Sequence, residues 1–175
     1  SSEEQSIRAN IKKHGINFIL RDSSLSAPSV TNLDVIKKHI SDRDISLRGY
    51  DSFLLLQPTT PFRDVTGLLA LQEKFNANPE SNSVVTVVEK RRPYAIAWES
   101  AEHVQPLLSI RETSMQKNYE ITGHAYLIST KILTNDNSLL GKNIDYISLP
   151  ENWPEIDLDN ERDWALAEAY AKYYD

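Results

Sequence analysis

Ser52-Phe53-Leu54-Leu55-Leu56-Gln57-Pro58-Thr59-Thr60-Pro61-Phe62-Arg63-Asp64 carries an uninterrupted apolar run that stops at a glutamine and a proline. Such a run suits a strand buried on both faces of a sheet. Pro58 and Pro61 stiffen the loop that follows. Asp64 then stands where a helix cap is needed, ahead of Leu68, Leu69, Leu71 and Phe75 as an apolar face. A strand, a rigid loop and a capped helix form the repeating unit of an α/β fold.

Working outward, the same rhythm recurs on both sides. Upstream, Ser1 or Ser2 can cap a short helix with Ile7 and Ile11 on one face, Lys12 and Lys13 near its end and Gly15 as its stop. Residues 16–21 alternate as a strand, 22–30 form a polar loop, and a second helix begins near Thr31 or Asn32 with Leu33, Ile36 and Ile40 inward. Downstream, residues 83–89 make the strongest strand, 94–98 a weaker one, and 124–129 and 144–148 two more. Asn160 caps a final helix, with Asp163 at its third position. The order predicts one α/β domain over 1–175 with a mainly parallel sheet. Residues 99–119 are irregular and polar, which suggests an insertion within about 95–145. In such folds ligands lie beyond the C-terminal ends of strands, here Arg21, 57–63 and 89–93.

Composition narrows the chemistry. Only five of the 175 residues are glycine, where average usage of roughly 7% would give about twelve. The nearest two are 18 positions apart, so no Gly-rich phosphate loop is encoded. Zero cysteines exclude disulfides, thiolate metal sites and cysteine nucleophiles. The four histidines lack ligand spacing, and no G-x-S-x-G elbow supports a serine nucleophile. A net charge of -6 argues against nucleic acid as a partner, and no apolar stretch reaches membrane-spanning length. A cytoplasmic protein is expected.

Four candidate groups remain. Gln57 places an amide donor and acceptor at the sheet edge; alternatively, its loop is a rigid turn whose Gln and Thr side chains satisfy backbone groups. In 155–159 (Glu-Ile-Asp-Leu-Asp) extended backbone would put Asp157 and Asp159 on one face. That pair suits Mg²⁺ completed by phosphate and water, or else Asp159 and Asn160 simply cap the last helix. Arg21 could receive a base carbonyl or a phosphate, or lie solvated on the surface. The Lys90-Arg91-Arg92 cluster has the same two readings.

Taken in order, these segments resemble the acylneuraminate cytidylyltransferases. Leu54-Leu55-Leu56-Gln57-Pro58-Thr59-Thr60-Pro61-Phe62-Arg63 is similar to the family's L-L-Q-P-T-S-P-L-R. Ile156-Asp157-Leu158-Asp159 with Asp163 and Ala167-Glu168 resembles its I-D-I-D-x-x-x-D-x-x-x-A-E. Leu20-Arg21, Leu25-Ser26 and Asp34-Val35 are similar to its L-R-P-x-x-L-A segment and the helix after it. Ser83-Val84-Val85-Thr86 resembles S-V-V-S, and Tyr119, Gly123 and Tyr126 resemble Y-x-x-N-G-x-I-Y.

The resemblance implies a Rossmann-like nucleotidyltransferase fold, a homodimer, and transfer of CMP from CTP to the anomeric hydroxyl of a sialic-acid-like nonulosonic acid. It implies CTP contacts at Arg21, Thr31 and Asn32, an acidic sugar at Gln57, Tyr126 and Arg111, and Mg²⁺ on Asp157 and Asp159. Departures fall on the sugar side: Thr122 and His124 flank Gly123, and the family's basic residue falls on Ala95, leaving Arg91, Arg92 or Arg111 for the sugar carboxylate. The family carries its triphosphate loop upstream of what corresponds to Ser2-Glu3, so the N-terminal strands and that loop are expected to be missing here and the activity of this chain impaired. Two alternatives stand, an enzyme for another acidic sugar such as Kdo and a non-catalytic assembly domain.

Overall fold

In a computed structural model of the chain, residues 2, 4–27, 29–42, 49–90, 97–100, 103–106, 118–135 and 138–174 are described. The Ser-Val-Val-Thr-Val-Val stretch lies at the centre. It opens strand β2 (Ser83–Lys90), and its first six residues are all buried. A strand without a polar face must be covered on both sides, and β2 is flanked by two others. Strand β5 (Asn118–Ser129) runs antiparallel on one side and β6 (Ile144–Ser148) parallel on the other. Strand β1 (Ser52–Leu55) pairs antiparallel with the far edge of β5, giving the order β1-β5-β2-β6. β1, β2 and β6 therefore point the same way and β5 is reversed between them, so the sheet among the described residues is mixed, with two antiparallel ladders and one parallel. Strands β3 (Ala97–Ser100) and β4 (His103–Pro106) form a two-stranded sheet of their own, whereas β5, also within 95–145, belongs to the main sheet.

Helix α3 (Val65–Ala77) covers one face. Asp64 caps it by accepting the Gly67 N–H at 2.7 Å, as its position after the prolines predicts. Leu71 is fully buried against Val84, Ala125 and Leu127, with Leu68, Phe75 and Ile147 around them. Burial of a leucine to this extent stabilises by about 2–3 kcal/mol. Helix α1 (Arg8–Lys13) stops at Gly15, whose φ of 70° is the left-handed conformation that a residue with a Cβ resists. Helix α2 (Asn32–Asp42) starts at a capping box in which Thr31 N–H donates to Asp34 Oδ2 at 2.9 Å and Asp34 N–H to Thr31 Oγ1 at 3.2 Å. A short helix α4 (Thr130–Asn135) follows β5, and helix α5 (Glu161–Tyr174) starts at a second capping box, where Asn160 Oδ1 accepts from Arg162 and Asp163 while Asp163 Oδ2 accepts from Asn160.

Four local expectations need correction. Residues 16–21 do not form a strand; a single bridge joins Leu20 to Ser2. Ile16 and Leu20 are exposed, so the alternation has no sheet to match. β1 is not buried on both faces: among the described strands it pairs only with β5, and Leu54 and Leu56 stay exposed. Leu69 lies outside the core face of α3 for the same helical reason that Leu71 lies on it, a rotation of about 200° between them. β5 begins six residues before the expected start, beyond a break in its register.

Candidate active site

The site forms at that break. Val85 faces Tyr126 and Val87 faces Ile121, so two residue steps on β2 are matched by five on β5. The surplus gathers Thr122, Gly123, His124 and Ala125 into a bulge. Thr86, fully buried, fills the gap in the ladder with its hydroxyl. Its Oγ1 shares a 2.8 Å hydrogen bond with Thr122 Oγ1 and accepts the Ala125 N–H at 3.2 Å.

The 57–63 loop packs onto the bulge. Thr60 Oγ1 donates to Gly123 O at 2.8 Å, and Arg63 Nε donates to His124 O at 2.9 Å. Arg63 also donates to Gln57 O and, at 3.0 Å, to Thr60 Oγ1, so one guanidinium closes the loop on itself and onto β5. Gln57 lies over Gly123 so closely that a Cβ there would stand 2.3 Å from Gln57 Oε1. Glycine at 123 permits this approach and is not demanded by its backbone angles, because the positive-φ glycines among the described residues are Gly15, Gly49 and Gly141.

A third segment, 153–159, completes the walls. Leu158 N–H donates to Thr59 O at 2.8 Å, fastening the acidic segment to the proline loop. The Trp153 and His124 rings meet edge to face at 4.9 Å. Lys90, at the end of β2, binds Glu155 and also Glu120 at 3.3 Å. Burial opposes its charge, yet these two carboxylates hold the ammonium above its ordinary value. Loop, bulge and acidic segment together enclose a cleft of about 150 Å³.

Of the expected residues, Asp157 lines the cleft and Gln57 lies against its bulge, while Tyr126 and Asp159 are outside the lining. Tyr126 is half-buried; burial first, then the nearby charge of Asp157, pushes its phenol above the ordinary value and keeps it a hydrogen-bond donor. Asp159 lies two residues on, across a tight turn in which its N–H donates to Asp157 O at 3.1 Å. The predicted alternation holds, with Ile156 buried, Leu158 half-buried and both aspartates exposed. Neither aspartate carboxylate makes a hydrogen bond or ion pair to another described residue, and no cluster of three or more His, Cys, Asp or Glu stands among the described residues. Two hard oxygen donors fit Mg²⁺ that completes its shell with water and phosphate.

Arg21, Thr31 and Asn32 lie outside the lining of this cleft. Arg21 donates its N–H to Ser2 O at 2.9 Å, the Thr31 hydroxyl is engaged in its capping box at 2.7 Å from Asp34 Oδ2, and Asn32 is the exposed first residue of α2. Arg111, Arg91, Arg92 and Ala95 fall outside the described residues. Sequence reasoning undervalued Thr60, Arg63, Thr86 and His124. Their shared signal is a glycine interrupting a β-run opposite a buried threonine, which marks a bulge.

No protein-family profile matches the chain. It is 24% identical over 180 residues to the N-acylneuraminate cytidylyltransferase of Escherichia coli O18:K1:H7 (strain RS218 / NMEC), an alignment that covers 95% of this chain and 40% of that protein. It is 23% identical to the post-translational flagellin modification protein B of Campylobacter coli, covering 98% of this chain and 75% of the relative. The chain thus spans less than half of the first relative and three quarters of the second. The crystal structure of 4-diphosphocytidyl-2C-methyl-D-erythritol synthase from Anaerococcus prevotii DSM 20548 superposes with a TM-score of 0.60 at 13% identity, over 96% of this chain and 78% of that one. The fold is that of a nucleotidyltransferase, and the sequence is distantly similar to a cytidylyltransferase. Among the described residues no helix is long and apolar enough to cross a membrane.

Proposed function

We propose that this chain is the nucleotidyl-transfer part of a cytidylyltransferase that moves CMP from CTP to the anomeric hydroxyl of a sialic-acid-like nonulosonic acid. The hydroxyl oxygen bonds to the α-phosphorus, the bond from that phosphorus to the bridging oxygen breaks, pyrophosphate leaves and the hydroxyl proton passes to solvent. The observation that carries this reading is the convergence of the 57–63 loop, the 122–125 bulge and the 156–159 segment on one cleft. Each of the three has a counterpart in the cytidylyltransferase motifs. The named activity of the E. coli relative supports it.

In this reading Asp157 and Asp159 hold Mg²⁺. When bound, the ion neutralises phosphate charge and lowers the pKa of the attacking hydroxyl. Gln57 presents an amide to the acceptor sugar, and Tyr126 donates from a phenol that stays protonated at neutral pH. Arg63 and Thr60 hold the Gln57 loop in place. Arg21, Thr31 and Asn32 take the cytosine and ribose, and Arg111 takes the sugar carboxylate. The same reading has the enzyme working as a cytoplasmic homodimer.

The test is pyrophosphate release from CTP and Mg²⁺ with a panel of acidic sugars, using the whole protein. Turnover with nonulosonic acids is the expected result. Turnover with Kdo alone would replace the acceptor, and neither turnover nor CTP binding by calorimetry would leave a non-catalytic assembly domain.

A further inference from the structure

We infer that His124 is a positioning residue of this cleft, a neutral imidazole whose Nδ1–H fixes the Phe62 carbonyl and, through it, the loop that carries Gln57. The inference rests on the reading of the cleft given above for its effect on turnover, but its geometry stands alone. His124 is 1% exposed. Its Nδ1 lies 2.9 Å from Phe62 O, and a carbonyl can only accept, so Nδ1 carries the hydrogen. The backbone carbonyl of the same residue accepts from Arg63. One residue of the bulge thereby grips two consecutive loop residues, while its ring edge supports Trp153 on the opposite wall.

The other nitrogen explains why the ring must stay neutral. Nε2 is buried and has no hydrogen-bond partner among the described residues. It faces the first turn of α3, where a Cβ on Gly67 would stand 3.7 Å away. A proton there would create a buried charged donor with no acceptor in place, beside the guanidinium of Arg63. Asp64, the cap of α3, is the acidic group that acts in its favour. Burial first, and then Arg63, hold the imidazole below its ordinary value of 6.5, against the pull of the Phe62 carbonyl and Asp64. Because the folded value is lowered, the unfolded chain takes up the proton first. The native arrangement is undisturbed above about pH 6.5 and weakens as pH falls toward the folded value. Protonation is relieved when the ring leaves its site, which releases the Phe62 carbonyl and Trp153 together.

The experiment uses the whole protein with Trp98→Phe and Trp164→Phe, so that fluorescence reports Trp153 alone. We expect a single pH transition with its midpoint below 6.5, abolished in His124→Asn, whose amide N–H reproduces the donor at the Nδ1 position. His124→Gln puts its amide near the Nε2 position, and His124→Leu has none. Both should raise the KM for the acceptor sugar about tenfold with the KM for CTP little changed, and His124→Asn should recover most of that loss. The acid-side fall in turnover should follow the Trp153 transition and be absent in His124→Asn. A Trp153 transition that persists in His124→Asn, or equal acceptor KM values in the Asn and Gln variants, would overturn the inference. If the leucine variant does not fold, the Asn and Gln pair decides. Should wild-type protein release no pyrophosphate, the proposed function fails, and the Trp153 transition still judges His124 by itself.

Discussion

Gly123→Ala places one methyl group where the structure has almost no room. The new Cβ would lie 2.3 Å from Gln57 Oε1, 3.1 Å from Thr60 Cγ2 and 3.4 Å from Gln57 Cδ. Unstrained carbon contacts lie near 3.5–4.0 Å, so Gln57 must yield by about an ångström. It can do so, because its amide is the end of a flexible side chain. Thr60 has less freedom, since its hydroxyl is held by Gly123 O. Overpacking costs about 1–3 kcal/mol, and the movable amide puts this case near 1–1.5 kcal/mol. For a chain of this length that is a fall in Tm of roughly 3–5 °C. Gln57→Ala removes two of the three contacts, so in that background the same methyl should cost less than about 0.5 kcal/mol, a coupling near 1 kcal/mol. Urea unfolding followed by circular dichroism, across the four members of the cycle, measures it. Under the proposed function Gly123→Ala also raises the acceptor KM about tenfold, because Gln57 is displaced while the rest of the cleft stays. An equal penalty in both backgrounds would refute the reasoning, since the clash would then not be with Gln57.

Further outcomes follow from the same contacts. Asp157→Asn should cut turnover by about a hundredfold or more with Tm nearly unchanged, and should lower the Tyr126 phenol toward its ordinary value in a tyrosinate absorbance titration. Arg63→Met leaves the His124 carbonyl without its guanidinium donor and removes one of the donors to the Gln57 carbonyl, and should cost about 2 kcal/mol in urea unfolding. Arg63→Lys should not rescue it, because an ammonium cannot span both carbonyls. Lys90→Met should cost about 1 kcal/mol, and most of that should vanish in Glu155→Gln protein, as a thermal double-mutant cycle would show. Asp64 is held below the ordinary carboxylate value first by the Gly67 N–H. A carboxylate lowered on folding stabilises above its unfolded value near 3.9 and loses that contribution as pH falls through the folded value. Asp64→Asn, which keeps a capping side chain, should therefore flatten Tm against pH on the acid side of about pH 4 while changing it little at pH 7.

The parts of this fold that could be read in advance are those written locally. Asp64 and Asn160 with Asp163 carry their helix starts within four residues and form the expected caps, and Thr31 with Asp34 forms a third at the expected start of α2. The alternation at 156–159 was equally legible, because period two needs no knowledge of a partner. What failed depended on pairing. Residues 53–56 are apolar whether their strand is central or lies at an edge, and only the arrangement of other strands decides it. The early half of β5 escaped notice because Thr122 and Gly123 interrupt its pattern. That interruption is the cleft: three residues beyond the count required by β2 leave the ladder, and a threonine hydroxyl from β2 closes it behind them. Arg63 could be seen in the motif but not understood, since its acceptor on β5, His124 O, is 61 positions away.

The bulge on β5 separates two tasks that a regular strand would merge. Tyr126, Leu127 and Ile128 keep the sheet in register on one side of it, and Tyr119, Glu120 and Ile121 keep it on the other. Residues inside the loop-out answer to neither, and are held instead by Thr86 behind them and by the 57–63 loop in front. A change at 122 or 124 should therefore be felt first in that loop and in the cleft, while the cross-strand pairs on either side stay in place. One strand thus serves as frame at its two ends and as a wall of the cleft in its middle.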